Sequence, residues 1–155
     1  MPWTDDTLSW QYLDSQRKIT RTSPGGITET VTSDALGRVA SIVNALGTFT
    51  HGYDAETSRP LSITHSGGFD TAFAYLGPDD GRALHSITSK RPGGTNVGRH
   101  TYGYDDLGRI DSWQRESLLA NPTGTTRSFQ WSAHHDFASQ LASVAEKSLV
   151  GVLEA

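Results

Sequence analysis

The stretch Tyr102-Gly103-Tyr104-Asp105-Asp106-Leu107-Gly108-Arg109-Ile110 reads as the tip of a β-hairpin. Tyr102 and Tyr104 stand at alternate positions, which puts both rings on one face of an extended strand. Asp105 is a favoured first residue of a type I turn, because its carboxylate can accept from the backbone two residues on. Gly108 falls where such a turn needs a left-handed backbone, which a residue without a Cβ adopts at little cost. Arg109 and Ile110 begin the return strand.

The tip recurs in frame. Ser33-Asp34-Ala35-Leu36-Gly37-Arg38-Val39 repeats it without the tyrosine, and Tyr53-Asp54-Ala55-Glu56-Thr57-Ser58-Arg59-Pro60-Leu61 repeats it with a longer tip and no glycine. Tyr75-Leu76-Gly77-Pro78-Asp79-Asp80-Gly81-Arg82-Ala83-Leu84 is a further variant. Trp10-Gln11-Tyr12-Leu13-Asp14-Ser15-Gln16-Arg17 and the segment from Phe129-Gln130-Trp131 to Gln140-Leu141 read as degenerate copies. Arg17, Arg38, Arg59, Arg82 and Arg109 are spaced 21, 21, 23 and 27 residues apart by subtraction. A period of about 21 residues lies in the range of stacked repeats, and two short strands with two turns fill it.

The Tyr-Asp-x-x-Gly-Arg signature at this spacing resembles the YD repeats of the RHS family, which includes bacterial polymorphic-toxin shells, insecticidal-complex components and teneurin ectodomains. The resemblance spans residues 8–145; residues 104–110 match closely and residues 34–39 match without the tyrosine. It implies antiparallel hairpins paired side by side in an open, spirally wound sheet, which in complete members encloses a cargo polypeptide. It also implies a segment of a larger bacterial cell-surface or secreted protein, with neighbouring repeats of the parent chain as partners. The expected division is a lead-in of residues 1–7, the repeat region 8–145, and a frayed or helical tail of residues 146–155.

The composition agrees with an all-β reading. Hydrophobic residues make up 35% of the chain, too few for a helical bundle but enough for a one-layer sheet with partly wet faces. The regular aromatics argue against disorder. A net charge of −4 with interspersed signs leaves no basic stripe to follow a phosphate backbone, so no nucleic-acid partner is expected. No apolar run is long enough to span a membrane as a helix. With no cysteine, disulfides and thiolate chemistry are excluded, and no cofactor is expected.

In chain order, the expected strands are residues 8–12, 17–22, 27–32, 39–43, 48–53, 61–63, 69–75 and 84–89, with turns at 24–26, 44–47 and 66–68. Residues 90–96 and 117–126, rich in Gly, Pro and Asn, read as insertion loops that break the short period and concentrate any special role. The tail fits two patterns. Phe137, Leu141, Val144, Ala145 and Leu149 share a helical face, whereas residues 140–144 fit a return strand. The strand is expected to Val144 and a frayed or helical end beyond it.

Three acidic pairs, Asp5-Asp6, Asp79-Asp80 and Asp105-Asp106, raise the reading of a carboxylate glycosidase. Neighbouring carboxylates on a turn ordinarily point apart into solvent, so no catalytic residue is assigned. Of six histidines, His134-His135-Asp136 is the densest cluster, but adjacent side chains of an extended segment face opposite ways, and no metal site is assigned. The tip residues Asp34, Gly37, Arg38, Asp105, Gly108 and Arg109 are expected to be structural, with each arginine pairing its aspartate or lying across a tyrosine. Trp10, Tyr53, Tyr75, Tyr102, Tyr104, Trp113 and Trp131 are either the rings that pack between hairpins or a platform for a glycan ligand, which the resemblance also implies. The first function expected is a non-enzymatic scaffold or encapsulating segment, and the alternative is a carbohydrate-binding module. Unpaired edge strands predict self-association.

Overall fold

The computed structural model describes residues 7–117, 125–135 and 141–152. Most of the expected lead-in, the heart of the 117–126 insertion, Asp136, Phe137 and the last three residues lie outside them. The fold is all-β and every pairing is antiparallel. Two units divide the chain, Met1–Phe69 and Asp70–Ala155. The first holds β1 (Ser9–Leu13), β2 (Lys18–Thr22), β3 (Thr28–Ser33), β4 (Val39–Asn44), β5 (Gly47–Tyr53) and β6 (Pro60–His65). The second holds β7 (Asp70–Tyr75), β8 (Leu84–Lys90), β9 (Asn96–Tyr104), β10 (Ile110–Ser117), β11 (Thr125–His135) and β12 (Leu141–Val152). In each, strands pair in chain order, and the first does not pair with the last among the described residues, so the sheet is open.

Register sorts the side chains by chemistry. In the first unit, the cross-strand run Tyr12–Ile19–Val31–Ile42–Phe49–His65 shares one face. The opposite face carries the run Thr32–Ser41–Thr50–Thr64, and Thr20 and Thr30 join hydroxyls across it at 3.0 Å. In the second unit, Phe73–Ile87–His100–Arg115–Phe129 and Tyr102–Trp113–Trp131 lie on one face, and Ala74–Ser86–Thr101–Gln114–Gln130 on the other. The alternation is the pleat's own period of two. No side chain among the described residues is fully buried. A single sheet layer has no second layer to close over its apolar face, so these rings find cover only in one another.

Two expectations change. Residues 91–95 are no insertion: Arg91 N–H bonds to Thr95 O at 3.0 Å and Gly94 N–H to Arg91 O at 3.0 Å, a five-residue turn joining β8 to β9. The same closure runs from Ser23 N–H to Ile27 O at 2.8 Å and from Gly26 N–H to Ser23 O at 3.1 Å. The period lengthens because the strands do, from five to seven residues in β1–β8 to nine, eight, eleven and twelve in β9–β12. The tail is also corrected. Residues 146–152 continue β12 and pair with β11 from Glu146↔Trp131 to Val152↔Thr125. Their apolar spacing fits a helix or a strand, and the backbone groups along β11 settle the matter by offering a complete ladder of partners.

Candidate functional site: the row of hairpin tips

Within each unit the tyrosine–aspartate tips gather at one end of the strands and the plain turns at the other. Asp34 organises its tip alone. Its Oδ1 accepts from Leu36 N–H at 2.8 Å and Arg38 N–H at 3.0 Å, and its Oδ2 accepts from Arg38 Nε at 2.7 Å. Asp105 repeats this, with Leu107 N–H at 3.0 Å, Arg109 N–H at 2.9 Å and Arg109 Nε at 2.6 Å. Gly37 and Gly108 close the two turns at φ +78° and +73°, a region in which a Cβ is crowded by its own backbone. No other atom lies near either position, so the constraint there is purely conformational. Asp54 holds the longer third tip through Arg59 Nη1 at 2.7 Å.

These contacts displace the titration of both aspartates. Partial burial would raise the Asp34 carboxyl, but the Arg38 side-chain bond, the Arg38 and Leu36 amides and the Arg38 charge outweigh it and hold the group below its ordinary value. For Asp105 the Arg109 amide is the largest influence; together with the Arg109 side chain, the Leu107 amide and the Arg109 charge it overcomes burial, and the carboxyl is likewise lowered. Burial, with Tyr102 beside it, pushes the Tyr104 hydroxyl up.

The tips also reach one another. Arg38, after satisfying Asp34, extends across to the next tip. Its Nη1 donates to Ala55 O at 2.9 Å and to Thr57 O, and its guanidinium lies 4.4 Å from the Tyr53 ring centroid. The arginine therefore lies over the tyrosine of the following hairpin, its own tip having Ser33 at that position. Tyr53 reaches the other way: its hydroxyl donates to Val39 O, at the start of the preceding return strand, at 2.8 Å. Tyr104 makes the same bond to Leu84 O at 2.8 Å. The arginine series is not uniform. Arg17 and Arg82 take positive φ values of 50° and 53° and stand exposed.

The opposite end is laced in the same manner. His65 Nδ1 accepts from Gly67 N–H at 3.0 Å, which leaves its Nε2–H to donate to Leu46 O at 2.8 Å, joining one plain turn to the next. Ser66 Oγ accepts from Thr48 N–H at 3.1 Å.

The expected aromatic platform is only partly assembled. Tyr102, Trp113 and Trp131 form a cross-strand row, with the indoles of Trp113 and Trp131 stacked at 5.3 Å and 12°. An open depression of about 380 Å³ lies beside them, lined by His100, Tyr102, Ile110, Trp113, Ala133, His135 and Leu141. Trp10, on β1, is apart from Tyr53, on β5, and lies 6.0 Å from the Arg21 guanidinium. Tyr75 stands at the end of β7, opposite Leu84. Of the acidic pairs, Asp5-Asp6 lies outside the described residues, whereas Asp79-Asp80 and Asp105-Asp106 line a single cleft of about 460 Å³ between two tips. His134 and His135 are consecutive positions of β11, and no cluster of three metal-ligating side chains occurs among the described residues.

The small residues beside the tips were missed in the sequence. Gly52 faces Ser62 and Gly103 faces Ser112. A Cβ on Gly52 would stand 2.5 Å from Ser62 Oγ, and one on Gly103 would collide with Ser112 Oγ. The signal was present as Gly-Tyr-Asp at 52–54 and 103–105, followed by Arg-x-x-Ser at 59–62 and 109–112.

No family model matches the chain, and no curated protein matches it. Among solved structures it is similar to the crystal structure of TcdB2-TccC3-TEV, with a TM-score of 0.54 at 14% identity. The likeness covers 83% of this chain and 8% of that one. It is a likeness of fold, and this chain corresponds to a small part of the matched chain's length.

Proposed function

We propose that this chain is a non-enzymatic segment of an RHS-like shell or surface protein, in which residues 8–145 act as a hairpin-repeat scaffold beside further repeats of a longer bacterial chain, secreted or held at the cell surface. The observation that carries this reading is the two-way lacing of the tips, Arg38 forward to the 54–59 tip and Tyr53 back to β4. Such contacts give Arg38, Tyr53 and Tyr104 a structural task between neighbouring hairpins. The fold likeness to the TcdB2-TccC3-TEV structure supports it. The glycosidase alternative gains nothing from Asp105, whose carboxylate is taken up by its own turn through Leu107 N–H, Arg109 N–H and Arg109 Nε. Co-expression with the polypeptide encoded on either side tests the encapsulating form of this role. A protected neighbour should resist protease in the assembly and be digested when expressed alone; equal digestion in both states would refute encapsulation.

A second reading, a carbohydrate-binding surface, is favoured by the depression beside Tyr102 and Trp113, since sugar rings stack on aromatic faces. Against it, the Trp113 and Trp131 ring faces are spent on each other. Glycan-array binding by the intact chain that is lost in Tyr102→Ala would establish it, and a blank array would remove it.

A further inference from the structure

Ser33, Tyr53, Tyr75, Tyr104 and His135 share one ladder place. Each is the last residue of its strand and pairs across a β-bulge with the first residue of the return strand. Tyr53 and Tyr104 use this place alike. Each hydroxyl donates to the first carbonyl of the preceding return strand, Val39 O and Leu84 O, both at 2.8 Å. A second ring stands two residues earlier on the same face of the strand. It is His51 before Tyr53, stacked with the centroids 6.4 Å apart, and Tyr102 before Tyr104.

The β11–β12 hairpin keeps the ladder and changes the side chains. Residues 136–140 join its arms as residues 105–109 join those of the hairpin before it, five in each case. His135 stands in the tyrosine's place, and Ala133 in that of the second ring. An imidazole carries no hydroxyl and ends well short of where a tyrosine's would stand. The carbonyl facing that place is the one at the start of β10, Ile110 O. His135, Ala133 and Ile110 all line the open depression of about 380 Å³ beside Tyr102 and Trp113. The depression is thus the room that a tyrosine and its neighbouring ring take up around Tyr53 and Tyr104.

We propose that this depression binds the side chain of a tyrosine from another polypeptide. Its ring packs against Ile110, Trp113 and Leu141, and its hydroxyl donates to Ile110 O, the bond that Tyr53 and Tyr104 make from within the chain. That carbonyl favours tyrosine over phenylalanine. The apolar side chains of Ile110, Trp113, Ala133 and Leu141 favour it over a sugar, most of whose hydroxyls would find no partner there. The inference goes beyond the scaffold role, and it holds whether or not the parent protein is a shell, because it rests on the ladder of this chain.

The test titrates the full chain with Ac-Gly-Tyr-Gly-NH2, Ac-Gly-Phe-Gly-NH2 and methyl β-glucoside, following the Trp113 indole N–H and the Ile110 and Ala133 amides. The tyrosine peptide should give saturable shifts confined to the lining of the depression, with a Kd on the order of 1–10 mM for so small a ligand. The phenylalanine peptide should bind about fivefold more weakly for want of one hydrogen bond, and the glucoside should not saturate. His135→Tyr supplies the occupant from within: it should abolish binding of the tyrosine peptide and raise Tm by roughly 2–4 °C. His135→Phe should also block the peptide, with a smaller rise. Shifts that never saturate, equal binding of the phenylalanine peptide, or saturation by the glucoside would overturn the proposal on the unmodified protein alone. A folded His135→Tyr chain that still binds the tyrosine peptide would overturn it too, since the vacated place would then not be the site.

Discussion

Arg38→Ala is the substitution that distinguishes a tip held by its own residues from a tip that couples neighbours. The side chain has three partners beyond Asp34: the Ala55 carbonyl, the Thr57 carbonyl and the Tyr53 ring. A cation over a tyrosine, its side chain 18% exposed, contributes about 0.5–1 kcal/mol. The two carbonyl bonds, one exposed and one part-buried, contribute about 0.5–1 kcal/mol each, at the lower end for hydrogen bonds because water competes for them. These three contacts sum to about 2 kcal/mol, or a fall in Tm of roughly 4–8 °C for a chain of this size, to which loss of the Asp34 pair adds up to about 1 kcal/mol.

The assay is urea unfolding followed by tryptophan fluorescence and circular dichroism, with coincident transitions as the check that a single free energy applies. Arg38→Lys is the decisive companion. A lysine keeps the charge beside Asp34 but neither stacks flat on Tyr53 nor bridges two carbonyls, so it should recover less than half of the loss. Pairing Arg38→Ala with Tyr53→Leu in a double-mutant cycle should return a coupling of about 0.5–1 kcal/mol between residues of different hairpins. Full rescue by lysine, or a coupling indistinguishable from zero, would refute inter-tip coupling and leave only an intra-tip ion pair.

Tyr53→Phe removes one part-buried bond to Val39 O and should cost about 1 kcal/mol in the same urea assay. Gly108→Val should cost about 1–2 kcal/mol from the left-handed backbone alone, with altered tryptophan fluorescence if the return strand slips and turns Trp113 to the other face. Asp34 and Asp105 are held below the ordinary 3.8 in the folded chain, so the unfolded state binds protons first on acidification. Their stabilisation is full above the ordinary carboxyl range and is lost as pH falls through the lowered folded values. Melting temperatures of the wild type should therefore drop below about pH 4, and those of the Asp34→Asn, Asp105→Asn chain should drop less. β12 has a described neighbour on one side and exposes Leu141 and Val144 at 59% and 45%; light scattering should show concentration-dependent association that Leu141→Lys reduces.

The parts of this fold that were legible in the sequence are those governed by local chemistry. Asp34 and Gly37, like Asp105 and Gly108, specify a turn within five residues, and the alternation of Phe49, His51 and Tyr53 specifies a strand face. Residues 91–95 misled because Pro92, Gly93 and Gly94 are equally the composition of an open loop and of a tight turn. Only the bond from Arg91 to Thr95 separates the two. The tail misled because an apolar pattern of mixed period says nothing about the partner strand that decides it. Each arginine was expected either to pair its aspartate or to lie across a tyrosine; Arg38 bonds Asp34, and its reach to residues 55 and 57 was invisible in the sequence. That contact joins positions 17 and 19 residues apart, and it exists only once two hairpins lie side by side.

The absence of any fully buried side chain among the described residues explains why the tips matter as much as they do. In a layered domain a hairpin is fixed by the core beneath it; here each strand is fixed mainly by the strands beside it, as in a one-dimensional array. Stability must then come from neighbour terms, and ladder bonds along the strands are common to any register that preserves the faces. Contacts such as Arg38 to the following tip and Tyr53 to the preceding strand are register-specific, because a slip of two residues keeps every apolar ring on its face but breaks both. The signature residues therefore solve one problem between them: Asp34 and Asp105 shape their turns, Tyr53 and Tyr104 lock theirs to the hairpin before, and Arg38 locks its own to the hairpin after. At the 76–83 tip Ala83 closes the turn where Arg38 does in the earlier one, so that forward lock is missing, and the 105–109 tip is tied to the preceding hairpin's return strand through the Tyr104 bond to Leu84. Tyr104→Phe should accordingly loosen that tip more than Tyr53→Phe loosens its own, since Arg38 still spans the first gap. Amide exchange at Leu107 and Gly108 in one variant, against Thr57 in the other, measures the difference, and equal acceleration would refute the division of labour.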